Sequence, residues 1–203
     1  MPDYFALLNE PRRPWLDADA LKQKFLTLSS EVHPDRVHSL GAAERAAAQE
    51  RYTQLNAAYQ HLTEPKERLR HLLELELGRR PSDLQDVPSD LMDLAMEVGR
   101  TCRQADALIA ESSKVTSPLL KVQFFERGQE QTDVLRELQR RLIQRQEELN
   151  AATRELDVEW VRTEPGSAQR DELRKRLEGI YRLLSYFGRW ISQVQQRTVE
   201  LSF

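Results

Sequence analysis

The chain has 203 residues, 31% of them charged, with basic and acidic side chains interspersed to a formal net charge of −3. That length holds one large or two small domains with a buried core, and the mixed charge argues against nucleic-acid binding. Its longest apolar runs are too short to cross a bilayer, Met1-Pro2-Asp3-Tyr4 lacks the basic start of a secretory signal, and a single cysteine excludes an internal disulfide and a cysteine zinc site.

A cytoplasmic protein is therefore expected, with Cys102 a small, partly buried helix residue rather than a reactive thiol. The first strong pattern is Leu21, Phe25, Leu28 and Val32, apolar residues at helical spacing. A polar connection follows, containing His33-Pro34-Asp35 and then Arg36. Ala48, Tyr52, Leu55, Tyr59 and Leu62 form a second stripe. Two such stripes joined by a proline-containing connection read as an antiparallel helical hairpin with His-Pro-Asp at its tip. Pro34 fixes its own φ and biases His33 away from helical geometry, so the preceding helix must stop there.

Gly78-Arg79-Arg80-Pro81-Ser82-Asp83 breaks the helical pattern. The N-terminal domain is placed at residues 1–77, a linker at 78–88 and a second helical domain at 89–203. In the latter, Ser89 caps a helix through Leu91, Leu94, Ala95 and Val98, whose middle Gly99 weakens. Ser117-Pro118 starts a long helix carrying Leu135, Leu138, Leu142, Leu149, Leu156 and Trp160 near heptad spacing. The turn Thr163-Glu164-Pro165-Gly166-Ser167 ends it.

The last helix is the clearest. Leu173, Leu177, Ile180, Leu184, Phe187, Ile191, Val194, Thr198 and Leu201 alternate four and three residues almost throughout. Such a seam needs apolar partners, and the nearest are the long preceding helix and the helix from Ser89. No segment alternates convincingly with period 2. The expected fold is all-α, an N-terminal hairpin domain followed by a helical hairpin or three-helix bundle. A coiled-coil dimer is the alternative use of the last two helices. The short Pro-Gly turn favours packing within one chain, while self-association through a leftover apolar face stays open.

Catalysis by this chain is not expected. His33 with Asp35 could be imagined as an acid/base pair or a metal half-site, but that chemistry needs a pocket and further ligands. His38 is near in sequence, yet the polar loop offers no apolar wall. His61 and His71 read as solvated or packing histidines. No phosphate loop, nucleophile elbow or zinc-protease pattern occurs. Neither catalytic residues, nor metal ligands, nor a cofactor are assigned.

With these residues in place, the N-terminal third resembles a J-domain, the module by which co-chaperones stimulate DnaK-class chaperone ATPases. His33-Pro34-Asp35 between two helical stripes carries the likeness. Asp3-Tyr4-Phe5-Ala6-Leu7-Leu8 resembles the first helix of that domain. Leu55 to Leu62, with Pro65 and Arg68, resembles the end of its third helix and the start of a fourth. The sequence Leu69-Arg70-His71-Leu72-Leu73-Glu74-Leu75 after Arg68, together with the helical C-terminal half, is similar to the HscB family. That family presents an iron–sulfur cluster scaffold to a specialised DnaK-like partner.

The resemblance implies a chaperone-binding surface of His33, Pro34, Asp35 and Arg36, with Lys22 and Lys24 steering encounter with an acidic partner. An ordinary solvated helix face competes for the two lysines. The resemblance also implies a scaffold-binding face at Leu91, Met92, Met96 and Glu97, although Gly99-Arg100-Thr101 stands where the family usually adds acids. Core packing is the competing use of those leucines and methionines. The functional expectation is a co-chaperone that stimulates a DnaK/HscA-type ATPase and delivers an iron–sulfur scaffold. The alternatives are a J-domain co-chaperone for another client, or a helical structural or oligomerisation protein with a vestigial J-domain.

Overall fold

The computed structural model describes residues 2–33, 36, 41–81 and 87–201. Among them the elements are all helical: α1 (Tyr4–Leu7), α2 (Ala18–Glu31), α3 (Ala42–Thr63), α4 (Pro65–Leu77), a 3-10 turn (Ser89–Leu91), α5 (Met92–Ser112), α6 (Pro118–Arg162) and α7 (Ala168–Leu201). The all-α architecture expected from the sequence, an N-terminal hairpin domain and three C-terminal helices, is the one observed. Its boundaries follow local chemistry. Asp3 accepts the amides of Phe5 and Ala6 to cap α1, and Asp17 accepts the Ala20 amide at 2.8 Å to cap α2. Pro65 opens α4, where its missing N–H costs nothing, and Gly78 closes it at φ 67°.

Compactness groups the chain into two units, Met1–Ser82 with Asn150–Tyr181, and Asp83–Leu149 with Arg182–Phe203. This grouping differs from a split along the chain at residues 78–88, because the ends of α6 and α7 around their connecting turn pack with the N-terminal residues.

In the first unit, α3 packs against α1, α2 and α4. Phe25 stacks on Tyr59 with ring centroids 4.4 Å apart, and His33 meets Tyr52 edge-on at 6.0 Å. As α2 advances from 25 to 33, its partner on α3 retreats from 59 to 52, so the hairpin is antiparallel. Phe5, Leu8, Leu21, Leu55, Leu62, Leu69, Leu72 and Leu73 are buried in this unit.

Residues 10–17 are fixed from two sides. Arg68, itself buried, donates to the carbonyls of Pro14 at 2.8 Å and Leu62 at 2.6 Å, and burial draws its pKa down to about 10. On the other side, Arg13 pairs with the buried Asp157, and Trp160 Nε1–H donates to the Arg12 carbonyl at 3.0 Å. Arg170 lies 3.2 Å over the Trp160 ring and reaches Glu76 at 3.3 Å.

The second unit is built on a core of Val98, Cys102, Ala105, Leu135, Leu138, Leu142, Tyr186, Phe187, Trp190 and Val194. It joins α5 to parts of α6 and α7, the partners that the apolar seam of the last helix required. Cys102 belongs to this core, and burial pushes its thiol pKa up. Among the described residues, no helix is long and apolar enough to cross a membrane.

Candidate partner-binding surfaces

The first surface is the tip of the α2–α3 hairpin. Helix α2 ends at Glu31, and Val32 leaves helical geometry at φ −110°, ψ 11°. His33 then stands exposed, its ring held edge-on to Tyr52, while the Arg36 amide donates to the His33 carbonyl at 2.9 Å. His33 is thus an exposed residue whose carbonyl is tied to the Arg36 amide. Pro34 and Asp35 lie outside the described residues, as does His38.

The two lysines expected to steer a partner do not share a face. Two positions along a helix are about 200° apart around its axis. Lys22 is exposed. Lys24 turns back on the chain, with its Nζ 2.9 Å from Glu10 and donating to the Asn9 carbonyl at 3.1 Å. Its charge is committed to holding the segment after α1 against α2. One turn after Lys22, Leu26 is half exposed.

The other histidines do interior work. His71 is fully buried, accepts the Tyr4 amide at 3.0 Å and stacks on Phe5. Desolvation, partly offset by the Asp3 carboxylate 4.0 Å away, lowers its pKa to about 4, so the ring is neutral near pH 7. His61 bonds the Ala57 carbonyl at 2.8 Å through Nδ1 and packs on Tyr4. Both are packing histidines. Among the described residues, no group of three or more His, Cys, Asp or Glu could hold a metal ion.

The second surface is α5, and here the predicted quartet divides. Leu91 is half-buried and packs against the core of its unit. Met92 and Met96 are 45% and 58% exposed, one turn apart on the side of α5 facing away from Val98, Cys102 and Ala105. Glu97 is bonded to Arg141 of α6. Core packing therefore accounts for Leu91 but not for the two methionines. A groove of about 700 Å³ in the same unit has Leu91, Leu94, Leu149, Leu183 and Phe187 as apolar lining, with Asp90 of the 3-10 turn and Asp93 of α5 on its wall.

The sequence reading missed the groove and the junction of Arg13, Asp157 and Trp160. Trp160 had been placed in the apolar seam, and its heptad position could not reveal that its indole N–H serves a carbonyl at residue 12. A lone aspartate among the apolar positions of a long helix was the available signal.

The hairpin, its exposed tip and the buried α1–α4 corner coincide with a known domain. The DnaJ domain family matches residues 3–71. Residues 3–71 form a J-domain. The co-chaperone protein HscB homolog of Paraburkholderia phymatum is 42% identical over 72 residues, which are 36% of this chain and 41% of that protein. The HscB homolog of Bordetella petrii is 36% identical over 93 residues, 46% of this chain and 52% of its own length. The matched segments thus span about half or less of the curated relatives. Beyond the J-domain the likeness is one of fold. Chaperone HscB from Vibrio cholerae superposes with a TM-score of 0.63 at 19% identity, covering 96% of both chains. Human co-chaperone protein HscB gives 0.65 at 17% identity, covering 98% of this chain and 83% of that one. The chain is HscB-like, a J-domain followed by a C-terminal helical bundle.

Proposed function

We propose that this HscB-like chain is a cytoplasmic co-chaperone that stimulates the ATPase of a DnaK/HscA-type chaperone and brings it an iron–sulfur scaffold protein. The observation that carries the reading is His33, exposed at the tip of the hairpin inside the residues that match the DnaJ domain. His33, Pro34, Asp35 and Arg36 are assigned to the chaperone contact, with Lys22 beside them. Binding of this surface favours the hydrolysis-competent arrangement of the partner, an allosteric coupling in which no catalytic group is donated.

The scaffold is assigned to the outer face of α5. The HscB names of the relatives support this cargo, and so does the solvent exposure of Met92 and Met96. A second reading keeps the J-domain and changes the client. It is favoured by Gly99-Arg100-Thr101, which stands where the family resemblance implies acids.

Single-turnover ATP hydrolysis by the DnaK-class chaperone of the same organism tests the first assignment. A rise in rate on adding this chain is expected. An unchanged rate with every DnaK-class chaperone of that organism would overturn it. Titration with the scaffold protein separates the two cargo readings, since only the first requires binding.

A further inference from the structure

The outer face of α5 carries a charge pattern that its apolar residues do not explain. Met92, Met96 and Arg103 fall within about 40° of one line along the helix, with Gly99 and Arg100 close on either side. Side chains on a helix lean toward its N-terminus, so both arginines reach back toward Met96. For Arg103 this is visible directly: a Cβ built on Gly99 would stand 3.3 Å from its guanidinium nitrogen. The glycine gives that side chain room to lie along the stripe.

Several other arginines of the second unit, unlike these two, are paired. Arg127, Arg136, Arg140, Arg141 and Arg145 of α6 each have a carboxylate within 4 Å, and so does Arg197 of α7. Arg100 and Arg103 are exposed, and among the described residues no carboxylate pairs with either. The nearby acids are directed elsewhere. Asp93 lines the groove, Glu97 is held by Arg141, and Asp106 is held by Arg197 at 2.9 Å. Two uncommitted cations therefore border two exposed methionines.

Resting on the reading of α5 as the cargo face, we propose that Met92, Met96, Arg100 and Arg103 form a docking surface for a protein partner that offers an apolar side chain flanked by carboxylates. The thioethers adapt to the shape of an apolar anchor, and each guanidinium can take a carboxylate through two parallel hydrogen bonds. A partner with lysines in those places would meet like charge and be rejected. The surface selects its cargo by sign.

The test uses the full chain and two helical peptides of identical apolar pattern, one with flanking glutamates and one with flanking lysines, titrated by fluorescence anisotropy. The wild-type chain should bind the glutamate peptide at least tenfold more tightly. In Arg100→Glu/Arg103→Glu the preference should reverse, and Met92→Ala/Met96→Ala should weaken the glutamate peptide at least tenfold. Equal binding of the two peptides, binding of neither, or a preference unchanged by the double reversal would overturn the proposal. The scaffold protein, titrated in parallel, keeps the cargo reading separate. Scaffold binding that the double reversal leaves intact also overturns the charge proposal while the cargo reading stands. Failure of the wild-type chain to bind the scaffold sinks that reading alone, and the peptides still decide the charge selectivity.

Discussion

The α1–α4 corner and the α2–α3 tip each set a histidine against a tyrosine. At the corner, His71 is wholly enclosed, accepts the Tyr4 amide and stacks on Phe5, and the neighbouring Asp3 caps α1 while pairing with Arg12 at 2.8 Å. At the tip, His33 is an exposed residue whose ring meets Tyr52 edge-on. The first imidazole is a structural acceptor that must stay neutral, whereas the second belongs to an exposed residue. The difference arises from the walls around each residue and not from its type. A histidine in a sequence acquires a role only from what encloses it.

The corner should break expensively. Phe5 is fully buried beneath it, so Phe5→Ala is expected to cost about 3–5 kcal/mol in urea unfolding. A loss below about 1 kcal/mol would mean that the corner is not packed as described.

Acid should attack the same corner. The unfolded histidine titrates near 6.5, while buried His71 titrates at about 4. Between those values the unfolded state binds the extra proton, so stability is complete above about pH 6.5 and falls as pH drops toward 4. Two and a half units correspond to a loss of about 3 kcal/mol. His71→Gln should flatten this slope over that window, measured by unfolding at a series of pH values.

Asp157→Ala leaves Arg13 without its partner beside residues 10–17. Arg13 is about one-third exposed, so water screens the loss, and a cost of about 2 kcal/mol is expected, short of that for a fully buried pair. Arg13→Ala combined with Asp157→Ala should recover part of it, as a double-mutant cycle would record.

Much of this division was legible in the sequence. The spacing of Leu21, Phe25, Leu28, Tyr52, Leu55 and Tyr59 specified the hairpin, and Pro34 located its end, because helical period and proline sterics are local properties. The seam of α7 announced its burial in the same way, and Leu173, Leu177, Leu184 and Val194 are buried. The commitments made across long sequence distances were not legible. Asp157 and Arg13 are 144 residues apart, and Lys24 gives its charge to Glu10, a partner no helical period relates to it. Met92 and Leu91 are adjacent and equally apolar, yet one faces solvent and the other the core. Only the packing of α5 on α6 and α7 distinguishes them.

The surfaces should tolerate change. Met92→Ala/Met96→Ala is expected to alter stability by no more than about 0.5 kcal/mol, because neither side chain is in the core. The lysines give the smallest effects and the sharpest contrast. Lys22→Glu should slow association with the chaperone and reduce its sensitivity to salt, with stability unchanged. Lys24→Glu sets like charge beside Glu10 and should lower the melting temperature slightly. Equal effects of the two on association would show that both belong to the partner face after all.

The most direct measurement is ATP hydrolysis by the cognate DnaK-class chaperone with the wild-type chain or with His33→Gln. The account predicts that the variant loses stimulation while its helicity and melting temperature match the wild type, since the exposed tip contributes little to the fold. Full stimulation by a correctly folded His33→Gln chain would contradict it.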